Sequence, residues 1–102
     1  MNNEFTVTLD QDETIVLAGG RAGVPMSYFQ DLRRHALERI AILPAGEIVT
    51  VEWLLDVRFW RELSANDRRV AGLCISRLVA DKELPLVRRW ITGKTSAYYE
   101  LL

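Results

Sequence analysis

The chain has one cysteine, Cys74, and one histidine, His35. A lone cysteine closes no internal disulfide, which fits a reducing compartment, so a cytoplasmic protein is expected. One cysteine and one histidine fall short of the ligand set zinc commonly takes, and no metal or other cofactor is expected. No apolar run approaches the ~18–20 residues of a membrane span. The opening residues Met1, Asn2, Asn3 and Glu4 offer neither a basic n-region nor an apolar h-region, so no signal peptide is expected. Neither sign of charge dominates: 13 basic residues face 14 acidic ones, a net −1. That balance excludes a bulk polycation that coats nucleic acid or anionic lipid. Carboxylates are scattered singly, with no pair in an apolar setting suited to general acid–base work. His35 has no serine or cysteine at motif spacing. Gly93-Lys94-Thr95 hints at a phosphate loop, but Arg88 stands where that motif needs a second glycine, and β-like residues follow where it needs a helix. A non-enzyme is expected.

What is present is enough for one small domain. Of the 102 residues, 49% are apolar and 26% charged, the mixture of an ordinary globule. The charge is uneven along the chain. Residues 1–60 hold five basic against nine acidic side chains, and residues 61–102 hold eight against five. The C-terminal part can therefore present a basic face on a nearly neutral molecule.

Phe5-Thr6-Val7-Thr8-Leu9 alternates and reads as a short strand with Phe5, Val7 and Leu9 on one face. Asp10 or Asp12 then caps a helix over about 12–22, which Gly19-Gly20 weakens; a hairpin with 14–18 as second strand competes. Gly23-Val24-Pro25 reads as a breaker. From Ser27, an N-cap candidate, Phe29, Leu32, Ala36, Leu37, Ile40, Ala41 and Leu43 recur at helical spacing. Leu43-Pro44-Ala45-Gly46 ends that helix. Glu47 to Thr50 is a short strand, Thr50 caps a second short helix from Val51 to Asp56, and Arg58 to Leu63 is a connection. Ser64 and Asp67 form a capping pair for a third helix to about Lys82. Its Val70, Ala71, Cys74, Ile75 and Leu78 lie within a ~140° arc, which makes Cys74 a core residue rather than a nucleophile. Leu86 to Ile91, a turn over 92–96, and Ala97 to Leu102 make a C-terminal hairpin.

The order from Ser27, with Gly46-Glu47-Ile48-Val49-Thr50-Val51 leading strand into helix, the long third helix and the hairpin, resembles a winged helix-turn-helix domain. The fold class is thus α+β, with three helices and a C-terminal hairpin over residues 27–102 and an extension over 1–26. The resemblance implies that the third helix enters a DNA groove and the hairpin lies along the backbone. Phe5 to Asp10 followed by residues 23–29 and a helix also resembles the ribbon-helix-helix repressors over about 5–41. That resemblance implies a homodimer paired through Phe5, Val7 and Leu9. The combination is similar to small bacterial proteins of mobile elements. Addition of 5–9 to the C-terminal hairpin and pairing within 5–18 are the other ways to satisfy this strand.

Two functions follow as expectations. The first is a small DNA-binding regulator. Arg68, Arg69, Arg77, Arg88, Arg89 and Lys94 contact phosphate, and Arg69 or Ser76 reaches base edges. The second is a protein-interaction module, an inhibitor or adaptor of phage or plasmid origin. Its motives are the near-zero net charge and the Gly72, Leu73, Ser76 and Ala80 strip on the third helix. A basic patch favours the first, and intramolecular ion pairs of Arg68, Arg69 and Arg88 favour the second. On the hairpin, alternation puts Arg88 with Leu86 and Trp90, so one arginine covers the inner face with its stem. Trp90, Tyr98 and Tyr99 are read as core.

Overall fold

The computed structural model describes residues 14–17, 23–93 and 97–102. The strand expected at Phe5–Leu9, the caps Asp10 and Asp12, Gly19-Gly20 and Lys94 lie outside them. In chain order the elements are β1 (Thr14–Val16), β2 (Gly23–Pro25), α1 (Met26–Ile40), β3 (Ile48–Thr50), α2 (Val51–Leu54), α3 (Val57–Arg61), α4 (Ala65–Ala80), β4 (Leu86–Arg89) and β5 (Tyr98–Leu101). The described part is a mixed α+β unit with four helices and two small antiparallel sheets.

The helix expected over 12–22 gives way to strand at Thr14–Val16, and Gly23-Val24-Pro25 is a strand rather than a breaker. The two pair antiparallel, with Val16 opposite Gly23 and Thr14 opposite Pro25. β-branched Thr14, Ile15 and Val16 favour this state. Gly23 has a local reason to be glycine, since a Cβ there would stand 2.8 Å from Thr14 Cγ2. Pro25 has no N–H to donate and takes the last strand position. It is also the N-cap of α1, with φ −61° and ψ 145°. Ser27 therefore lies inside the first turn and is not the cap.

α1 buries Phe29, Leu32, Ala36 and Ile40, the spacing of one helical face. It ends at Ile40, short of the expected Leu43. Arg39 ties it to α2: its Nε donates to the Trp53 carbonyl at 3.1 Å, and its guanidinium lies 4.2 Å from the indole centroid. β3 runs into α2 with no intervening residue. Thr50 is both the last strand residue and the N-cap, its Oγ1 accepting the Trp53 N–H at 3.3 Å. The expected connection at 58–63 is instead largely helical, as α3. Asp56, at φ 71°, starts it by accepting the Arg58 N–H at 2.9 Å. Five residues carry too little periodicity to be legible in sequence.

α4 starts as expected, with Ser64 Oγ accepting the Asp67 N–H at 3.1 Å. Ala71, Cys74, Ile75 and Leu78 are fully buried and Val70 is half-buried. Its C-terminus closes through two backbone bonds: the Glu83 N–H donates to the Leu78 carbonyl at 2.9 Å and the Lys82 N–H to the Val79 carbonyl at 3.1 Å. Lys82 takes the left-handed φ of 62° this closure needs.

The larger sheet has the order β3-β5-β4, all antiparallel. Tyr99 on the central strand stands between Val49 and Arg88. Leu86, Leu101, Val49 and Tyr99 face one core with Leu54, Leu55, Leu84 and the buried faces of α1 and α4. Leu17 and Val24 of the N-terminal segment are buried in that same core.

Candidate nucleic-acid interface

The expected binding residues sit on α4 and the C-terminal hairpin, and the structure joins these two elements. Tyr99 carries the joint. Burial pushes its hydroxyl pKa up, against the opposing influence of Arg88 and Ser76. Around it Cys74, Ile75 and Leu78 of α4 and Leu86 of β4 share one core. Alternation along β4 explains the placement: Arg88 shares the inner face with buried Leu86. Its guanidinium lies 5.9 Å from the Tyr99 ring centroid and 4.3 Å from that of Trp90.

Trp90 departs from the expected core role, with 81% of its surface open. Cross-strand pairing ends at Arg89 and Tyr98, so Trp90 lies beyond the last cross-strand pair. Tyr99 is buried as expected and Tyr98 is half-buried.

The remaining cations divide by partner. Arg68 donates to the Trp60 carbonyl at 3.0 Å, which also accepts the Leu63 N–H, and to the Arg61 carbonyl at 3.4 Å, and so reinforces the end of α3. Arg77 pairs with Asp81 at 3.0 Å and donates to the Val16 carbonyl at 2.8 Å, which anchors β1 to α4. Arg89 is ion-paired with Glu100, two strands' outward side chains meeting across the hairpin. Arg69 is exposed and, among the described residues, bonds to Asn66 at 3.2 Å. Among the described residues, Arg68, Arg69 and Arg88 have no carboxylate partner. Neither pattern set out from the sequence is met in full: these three are unpaired with acids, yet Arg77 and Arg89 are neutralised. Phe5, Val7 and Leu9 fall outside the described residues, as does Lys94.

Comparison with known protein families, curated proteins and solved structures gives no match.

The sequence reading missed the parts played by Tyr99 and Trp90. The signal for Trp90 was the hairpin turn itself, since a residue beside it lies past the last cross-strand pair. Elsewhere, Cys74 is fully buried and burial pushes its thiol pKa up to about 11. His35 lies 6.3 Å from Phe59, ring to ring, and its Nε2 is buried without a partner among the described residues. No group of three or more His, Cys, Asp or Glu among the described residues is placed to hold a metal ion. No helix among them is long and apolar enough to cross a membrane.

Proposed function

We propose that the chain is a small DNA-binding regulator whose C-terminal part is a winged helix-turn-helix unit. The observation that carries this is the packing of α4 and the β4–β5 hairpin into one core, with Tyr99 buried there between Val49 and Arg88 of its neighbouring strands. The order β3-β5-β4 and the helix, strand, helix, helix, helix, strand, strand succession, in which α3 is one short helix more than the sequence led us to expect, support the architecture. α4 is then the helix offered to a groove and the hairpin the element laid along phosphates. Arg69 and Arg88 are the leading contacts, because both keep their charge free of carboxylates. Arg68 works mainly as a brace for α3. Arg77 and Arg89 reach phosphate only by exchanging Asp81 and Glu100 for it. Lys94, outside the described residues, is a further candidate cation by sequence.

Each phosphate contact releases condensed counterions, so affinity for duplex DNA falls steeply with salt. A salt titration by fluorescence anisotropy shows this as a negative log–log slope. Arg69→Ala and Arg88→Ala each weaken binding roughly 5-fold or more. Weak binding that is flat in salt overturns the reading. The ion pairs of Arg77 and Arg89 favour a second reading, in which the same face receives a protein partner. A flat titration leaves that reading standing.

A further inference from the structure

We infer that Trp90 is a stacking platform for an unpaired nucleobase, so that the hairpin engages single-stranded or forked DNA. The inference rests on the DNA-binding reading above and adds a ligand state to it. Trp90 directly follows the last paired residue of β4. One face of its indole lies on the Arg88 guanidinium, 4.3 Å from centroid to carbon. The residue is 81% open, and among the described residues no ring lies against the opposite face. Arg88 is held in turn by Tyr99, whose ring is fixed in the core. The order indole, guanidinium, phenol is a stack with its outer position empty.

This arrangement suits a base for three reasons. A ring already fixed by a cation behind it loses little freedom when a second ring stacks on it. The guanidinium charge, unpaired with any carboxylate among the described residues, attracts the phosphates that accompany a base. The free indole face is flat and open, and every base has a π-face that fits it. Bases inside a duplex are covered by their neighbours, so the ligand is an unpaired one. Gly93, at φ 82°, turns the chain three residues later and leaves the ring at the edge of the hairpin.

The test uses three labelled 20-nucleotide DNAs: a blunt duplex, a single strand and a forked duplex. Binding to the whole chain is read by anisotropy at one low salt concentration. The unmodified protein binds the single strand and the fork at least as tightly as the duplex. Trp90→Ala weakens single-strand and fork binding on the order of 10-fold and duplex binding less than about 2-fold, and Trp90→Phe restores most of the loss. Circular dichroism checks that both variants fold, as an exposed site allows. Equal loss on all three DNAs, no loss on any, or binding of the duplex alone overturns the inference and leaves the DNA-binding reading in place. Absence of binding to every DNA overturns both.

Discussion

Cys74 is held on the buried face of α4, with no surface open to solvent. Burial raises its thiol pKa from 9.0 to about 11. The folded state therefore keeps a proton that the unfolded chain gives up between those two values. The stabilisation is complete below pH 9.0 and is lost as pH rises toward 11. Over that window the loss reaches about 2–3 kcal/mol. Tyr28 and Tyr99, both raised by burial, act in the same direction at higher pH. Urea midpoints that fall from pH 8 to pH 10.5, with a shallower fall in Cys74→Ala, are the expected result. Iodoacetamide alkylation of the native protein at pH 8 is correspondingly slow, and fast alkylation without denaturant contradicts the burial.

At the scale of elements, Lys82 closes α4 in a backbone region where a side chain costs energy. Glycine there keeps both closing bonds and removes the Cβ clash. Lys82→Gly is expected to stabilise the fold by about 0.5–1 kcal/mol and raise the melting temperature by a few degrees. A lower melting temperature contradicts this account of the closure. The elements also show what the sequence made legible. α1 and α4 were readable because their apolar residues repeat over 15 and 16 positions. Thr50 and Ser64 were readable as caps because hydroxyls bond locally and need no tertiary context. β1 was legible only as the competing strand over 14–18, and its partner β2 was not, because three residues carry almost no period and Gly23 and Pro25 look like turn residues. α3 was hidden for the same reason. In the candidate site, residue types were legible and partners were not. Nothing local in the sequence places Arg77 on Val16, 61 positions away, or Arg68 on Trp60.

For the whole molecule the open question is how many chains act together. Among the described residues β1 and β2 pair only with each other. A homodimer joined through Phe5, Val7 and Leu9 places Val7 near its own symmetry mate in an antiparallel pair. Light scattering is expected to give a dimer mass at high micromolar concentration. Val7→Pro removes a ladder donor and shifts that mass toward the monomer. A monomer in the unmodified protein ends the dimer proposal and leaves the α4 and hairpin face to act alone.

The direct passage from β3 into α2 at Thr50 leaves the chain no slack there. A single residue spliced between Thr50 and Val51 must either pull Val49 out of register with Tyr99 or draw the hydroxyl away from the Trp53 N–H. The step from Pro25 to Met26 is equally taut. Between Ile42 and Ala45, by contrast, the chain lies outside any ladder, with Ile42, Pro44 and Ala45 exposed and Leu43 alone turned to the core. Grafted loops and affinity tags belong at that segment, and the length of the two junctions is the part of this architecture least free to drift.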